Sequence, residues 1–210
     1  PLSNLDAKLR VQMRTEITRL QKKLGITSVY VTHDQTEAMT MGSRLVILKN
    51  GKVMQDAPPS EIYENPANTF VGGFIGSPQM NFFEGRLKSK NGNMLQFEDN
   101  QAGFFLEIPA VSFIYEKPKP GTEIIIGIRP ENIILLNEDY AGQKGKLAAN
   151  EIRTEIENIE YIGHENLIYF RSGDSLKCMR SAGAKINVSS GKASIFLPPD
   201  KIIPFSRDGE

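Results

Sequence analysis

Apolar residues recur at spacings of four and three along the first stretch of the chain: Leu5, Leu9, Met13, Ile17, Leu20 and Leu24. Lys8, Arg10, Arg14, Glu16, Lys22 and Lys23 fill the other faces, a pattern that predicts an amphipathic helix. Asn4 or Asp6 can cap its start, and Gly25 stands where a left-handed C-terminal residue is expected. The pattern then changes. Thr27 to Thr32 is apolar on both faces, as a buried parallel strand would be, and His33 falls at its carboxyl end. Asp34 can cap a short helix through Gln35, Glu37, Ala38 and Met39. A βα turn of this kind is where open α/β sheets place ligands.

Two further strands, "RLVILK" and "KVMQDA", flank Asn50-Gly51, the strongest short signal for a hairpin. "PSEIYENP" and "ANTFVGGFIG" read as short helices, and "GSP" at Gly76 to Pro78 closes the region. From Met80 onward the texture is different: short alternating or β-branched runs are punctuated by turns, among them "NFFEGRLK", "MLQFED", "TEIIIGIRP", "ENLIYFRS" and "ASIFLPPDKIIPF". Many short strands at this spacing predict a small β-barrel or sandwich of about 130 residues. The expected organisation is an α/β segment over 1–77 followed by an all-β domain over 78–210, with the boundary between Ile75 and Met80.

Composition narrows the function. The 210 residues carry 25 basic and 25 acidic side chains, which removes the electrostatic footprint of a protein whose main partner is a nucleic acid or an anionic membrane. The single cysteine, Cys178, excludes an intramolecular disulfide and a multi-cysteine metal site, fits a reducing compartment, and reads as a small buried apolar residue. No apolar run approaches the ~18 residues needed to cross a bilayer. The sequence opens at Pro1 without an initiator methionine, as expected of a piece of a longer chain.

Five strings, "PLSNLDAKLR", "VYVTHDQTEAM", "NGKVMQDAPPSEIYENPAN", "FIGSPQMNF" and "GIRPENI", stand in order along most of the chain. In that order and spacing they resemble the landmarks of the ATPase subunits of carbohydrate importers, the maltose and multiple-sugar type of ATP-binding cassette protein. The resemblance implies a remnant of an α/β nucleotide-binding domain followed by an all-β regulatory domain of the oligonucleotide/oligosaccharide-binding (OB) type. Ser3, Asn4, Leu5 and Asp6 are similar to the loop that crosses the ATPase dimer interface. His33 is similar to the switch histidine that reaches the γ-phosphate. A neutral imidazole suits that role, because donation to a phosphoryl oxygen stabilises charge that grows in the transition state. Glu37, inside the helix after His33, is expected to be a solvated helix-face carboxylate and not a general base. Asp6 also reads as an ordinary helix cap.

The resemblance further implies ATP and Mg2+ as cofactors of the intact protein, a homodimer or second ATPase subunit, membrane-spanning permease partners, a site for a regulatory protein on the β domain, and a cytoplasmic position at the inner face of the membrane. The sequence contains no GxxxxGK[ST] loop to cradle phosphates, no signature or glutamine loop, and no acidic pair for the metal. In the family the catalytic glutamate immediately precedes the proline that is Pro1 here. The chain by itself is therefore expected not to hydrolyse ATP, and to need no cofactor.

In the β region, Gly127 to Asn132 and Ile156 to Phe170 carry the resemblance. Arg129 and Glu131 are the regulatory-domain candidates: Arg129 as an anion or partner contact, or else as a structural ion pair that fixes a turn. His164, in "YIGHEN", is expected in an exposed hairpin turn and not on a metal. The competing function is a small-ligand module of the same barrel type, binding a small oxyanion. A strand left without neighbours at Thr27 to Thr32 also predicts association into a dimer or larger assembly.

Overall fold

A computed structural model describes residues 7–88, 93–113, 119–136, 148–183 and 191–209. The chain divides into two compact units, Pro1–Ala67 and Asn68–Glu210.

The first unit opens with helix α1, Ala7–Leu24. Gly25 ends it at φ +62°, and its N–H donates to the Gln21 carbonyl at 3.0 Å, so the left-handed stop expected from the sequence is present. The caps proposed at Asn4 and Asp6 lie outside the described residues. Leu9, Met13, Leu20 and Leu24 of the apolar stripe are exposed. Helix α2, Gln35–Met41, begins at Asp34, whose carboxylate accepts the Glu37 N–H at 2.9 Å. Strands β1, Leu45–Lys49, and β2, Lys52–Ala57, pair antiparallel through Asn50 (φ +51°) and Gly51 (φ +77°), the two left-handed residues that a tight primed turn demands. Helix α3, Pro59–Glu64, follows with proline at its first position.

Thr27 to Thr32 forms no strand, which corrects the reading of a buried parallel strand. Val29 and Val31 are 91% and 90% exposed. A strand buried on both faces needs neighbours along both edges, and no described strand pairs with this segment.

The second unit starts with helix α4, Thr69–Phe74, capped by the Asn68 side chain, which accepts the Val71 N–H at 3.0 Å. Ten strands follow in two five-stranded sheets. The first sheet has the order β12-β6-β3-β4-β5, from Ile203–Ser206, Glu123–Ile128, Asn81–Lys88, Met94–Asp99 and Phe105–Pro109. The second has the order β10-β9-β8-β11-β7, from Ser175–Ala182, Glu165–Ser172, Glu151–Tyr161, Lys192–Phe196 and Ile134–Leu136. Alternation drives the packing: along β3 the odd positions Phe83 and Leu87 are buried while Glu84, Arg86 and Lys88 are exposed. Both sheets contribute to one core that includes Phe97, Leu106, Ile126, Ile168, Phe170 and Ile195.

Written in reverse, the second sheet repeats the first, with β8 in the place of β3, β11 in that of β6 and β7 in that of β12. The two halves are therefore related by an approximate twofold, each lending its last strand to the other's sheet. The exchange runs through matching 3-10 turns, Pro130–Asn132 after β6 and Pro199–Lys201 after β11. Each turn ends on an isoleucine that is 3% exposed, Ile133 and Ile202.

The units part at Ala67, earlier in the chain than the composition change between Ile75 and Met80. The reason is α4: its first N–H, Thr69, donates to the Gly209 carbonyl at 2.6 Å, and its last carbonyls are held by Arg129, so it packs as part of the β unit.

Candidate functional site

The segment around His33 is held by a closed ring of hydrogen bonds. Thr32 Oγ1 donates to Glu37 Oε2 at 2.7 Å and accepts the Asp34 N–H at 3.0 Å, while Asp34 Oδ1 accepts the Glu37 N–H at 2.9 Å. Tyr30 Oη adds a second donor to Glu37 Oε2 at 3.1 Å. The two-residue period of an extended chain explains the set: Tyr30 and Thr32 face α2 while Val29 and Val31 point away. His33 lies inside this ring, between two anchored neighbours, and its side chain is exposed.

Glu37 is 5% exposed, which corrects the expectation of a solvated helix-face carboxylate. The reason is its two hydroxyl donors, which supply in the interior what water would supply at the surface. Burial first, then the bond to Glu37, raises the Tyr30 phenol above its ordinary range. Asp34 is shifted the other way, chiefly by the Glu37 N–H, with help from the Thr36 N–H and from Arg14 and Arg10. Arg10 of α1 reaches to 4.0 Å from the Asp34 carboxylate, tying the two helices together at this turn.

Ser3, Asn4, Leu5 and Asp6 lie outside the described residues. Among the described residues no three His, Cys, Asp or Glu side chains converge as a metal site would require. Nor is any helix long and apolar enough to cross a membrane.

In the β unit Arg129 is 3% exposed. Its Nη1 donates to the Gly72 carbonyl at 2.8 Å and to the Ile75 carbonyl. The guanidinium thus serves as a C-terminal cap for α4. Glu131 is exposed on the adjacent 3-10 turn. His164 is exposed in the β8–β9 turn, and its carbonyl accepts the Gly183 N–H at 3.3 Å. Cys178 is 8% exposed, and burial pushes its thiol up to about 11.

Two more cations hold the connection from α4 into β3: Arg180 donates to the Ser77 carbonyl and Lys177 Nζ to the Phe82 carbonyl at 2.5 Å. Lys177 also lies 5.0 Å over the Phe83 ring, and burial lowers its ammonium below the ordinary lysine range. Sequence reasoning missed Glu37 as an anchor and missed these two. For Glu37 the usable signal was hydroxyl side chains at alternate positions, Tyr30 and Thr32, ahead of a capped helix.

Residues 76–133 match the family model "MalK OB fold domain", which fits the sheet that β3, β4, β5 and β6 build. The whole chain has curated relatives. It is 42% identical over 91% of its length to the oligosaccharides import ATP-binding protein MsmX of Bacillus subtilis, of which it covers 50%. It is 46% identical over 81% of its length to the trehalose import ATP-binding protein SugC of Mycobacterium tuberculosis, of which it covers 41%. The maltose/maltodextrin import ATP-binding protein MalK of Aliivibrio fischeri is 38% identical over the full chain, which covers 54% of that protein. These relatives are ABC-type ATP-binding proteins. More particularly, the chain is a homologue of those that serve sugar import, and it spans about half the length of the relatives it matches. A solved molybdate-binding protein, ModG, is also similar, at 15% identity and TM-score 0.49, covering 60% of this chain and 95% of that one. At that level the likeness assigns neither fold nor ligand.

Proposed function

We propose that this chain is part of the energy-coupling subunit of a sugar importer. Residues 1–77 are then the end of its ATPase domain with a helical linker, and 78–210 its OB-type regulatory domain. The observation that carries the reading is homology along the whole of this chain to a sugar-import ATP-binding protein, of which it covers 54%, running through an exposed His33 fixed between two anchored neighbours.

In this reading the His33 imidazole donates an N–H to a γ-phosphate oxygen and orders the attacking water, and Ser3–Asp6 lies at the interface with a second ATPase subunit. Negative charge grows on the phosphoryl oxygens as the terminal bond breaks, so a donor already in place stabilises the transition state more than the ground state. The side chain contributes positioning and charge; it need not take up a proton. ATP and Mg2+ are the nucleotide and metal of the full-length subunit. The described residues do not converge on a metal, and no step is assigned to one. Partners are a second copy or second ATPase subunit, membrane-spanning permeases, and a regulatory protein on the β domain, with the whole at the cytoplasmic face of the membrane. The sugar itself is the business of other subunits. The small-oxyanion alternative is not favoured, since these relatives are named for sugar import.

The test is phosphate release from Mg-ATP. The full-length subunit is expected to turn over and its His33→Ala variant to lose most of that rate, while the 210-residue chain shows none above its own His33→Ala control. Undiminished turnover in full-length His33→Ala overturns the assignment of His33. Turnover by the short chain overturns its predicted inactivity.

A further inference from the structure

Glu37 occupies a position that the chemistry of an ATPase does not by itself explain. It is 5% exposed on a helix of seven residues, four positions after the exposed His33. A carboxylate is buried at a cost unless its oxygens are satisfied, and here one oxygen collects both available hydroxyls, Thr32 Oγ1 at 2.7 Å and Tyr30 Oη at 3.1 Å. Both donors stand on the segment that leads into His33. The following residue, Asp34, is held from the other side by the Glu37 backbone N–H at 2.9 Å, and its own N–H returns to Thr32 at 3.0 Å. Each bond polarises the next, so the ring is stiffer than three separate bonds.

Resting on the reading of His33 as the phosphate-contacting histidine, we infer that Glu37 is the positioning residue of that histidine: its carboxylate holds the Thr32 hydroxyl before His33 and, through that hydroxyl, the Asp34 N–H after it, and so sets where the imidazole stands. Glu37 touches no substrate in this role. It acts by removing freedom from the Thr32–Asp34 turn, which would otherwise have to be ordered when nucleotide binds. Placement errors near one ångström in a catalytic group can cost about 10²-fold in rate, so the loss of the ring is expected in kcat and not in nucleotide binding.

The choice of substitution follows from the geometry. Both hydroxyls donate to the same oxygen, so Glu37→Gln can present an amide oxygen there and keep the ring without the charge. Glu37→Leu keeps the volume and loses every side-chain bond. In the full-length subunit, Glu37→Leu is expected to lower kcat for ATP about 10- to 100-fold with KM changed less than about twofold, and Glu37→Gln to recover most of the rate. In the 210-residue chain, amide exchange at Asp34 should accelerate at least about tenfold in Glu37→Leu and stay near the parent rate in Glu37→Gln.

Three outcomes overturn the inference. If His33→Ala abolishes turnover while Glu37→Leu keeps it, the histidine is catalytic and Glu37 does not position it. If Glu37→Gln is as impaired as Glu37→Leu, charge and not the ring is what matters. If exchange at Asp34 does not change in Glu37→Leu, the ring does not order the turn. Should His33→Ala itself keep full activity, the reading of His33 fails first, and the inference with it.

Discussion

The side-chain amide of Asn81 pairs with both backbone polar groups of Cys178, 97 residues away in the chain: Oδ1 accepts the Cys178 N–H at 2.8 Å and Nδ2 donates to its carbonyl at 2.7 Å. Asn81 opens β3 of one sheet and Cys178 lies in β10 of the other, so one amide joins the two sheets. The approximate twofold repeats the device. Asn150, just before β8, accepts the Glu107 N–H at 2.9 Å and donates to the Glu107 carbonyl at 3.2 Å and to Leu197 at 3.0 Å. Asn81 likewise reaches the Ile128 carbonyl at 3.4 Å, and Ile128 and Leu197 precede the two matching 3-10 turns.

Truncating either asparagine leaves a buried N–H and carbonyl without a partner, at about 1–3 kcal/mol for each unsatisfied group. Asn81→Ala and Asn150→Ala are each expected to lower the stability of the β unit by about 2–4 kcal/mol. Urea unfolding followed by the β-sheet circular dichroism band reads this directly. Asn81→Asp should do no better than alanine, since an ionised carboxylate can accept from Cys178 but cannot donate to it. A loss below about 1 kcal/mol in both alanine variants would show that the amides do not join the sheets.

Arg129 defines a second dependence. Its removal strips the cap from Gly72 and Ile75, in a helix of only six residues that cannot hold itself. Arg129→Ala is expected to cost about 2–3 kcal/mol, within the range for hydrogen bonds to a charged donor. Arg129→Lys should recover little, because an ammonium is more strongly hydrated than a guanidinium and costs more to bury at this site. Limited proteolysis should then cut within residues 69–76 in both variants and spare the parent. Protection of this segment in Arg129→Ala would show that Gly209 and the Asn68 cap suffice to hold α4.

What could be read from the sequence follows the distance over which each element is decided. The Asn50-Gly51 hairpin, the Asp34 cap and the Gly25 stop are settled within a few residues, and the expected elements are the ones observed. A β-barrel or sandwich was legible from strand spacing and its OB type from the resemblance alone, and the family model matches 76–133. Its strand exchange was not, because the two halves share little beyond a bridging asparagine at the start of each and a 3-10 turn ending in isoleucine. Thr27 to Thr32 misled because a β-branched run reports a preference for burial and cannot report whether a partner is present. Glu37 misled in the opposite sense: helical periodicity set it on a polar face, while Tyr30 and Thr32 approach that face from outside the helix.

Burial of Cys178 gives a pH signature. Its thiol ordinarily titrates at 9.0 and is pushed up to about 11 by desolvation, which Glu160 reinforces and Arg180 opposes. At pH 8 the thiolate fraction, and with it the rate of a thiol-specific disulfide reagent, should fall about 10²-fold below that of the unfolded chain. The sign for stability follows from a folded value above the unfolded one: the contribution is complete below about pH 9 and is lost as pH rises toward 11. Cys178→Ala should therefore lose less stability than the parent over that interval, measured as the shift in urea midpoint. Equal alkaline slopes in the two proteins would mean that the thiol is not desolvated.

Val29 and Val31 carry the last prediction. At 91% and 90% exposure they present β-branched side chains from a backbone that no strand among the described residues pairs with, the arrangement that invites another strand. Pairing would add backbone hydrogen bonds and bury the valines together, so the 210-residue chain is expected to associate at micromolar concentration. Lysine at both positions keeps the Tyr30 and Thr32 face that Glu37 anchors and places like charges opposite one another across any such pair, which disfavours it. Light scattering should show the parent chain as a dimer or larger species and Val29→Lys/Val31→Lys as a monomer with the same circular dichroism. A monomeric parent would mean that the exposed edge does not recruit a second chain. Unchanged association in the double variant would place the contact elsewhere, with the exposed stripe of α1, Leu9, Leu20 and Leu24, next to be tested.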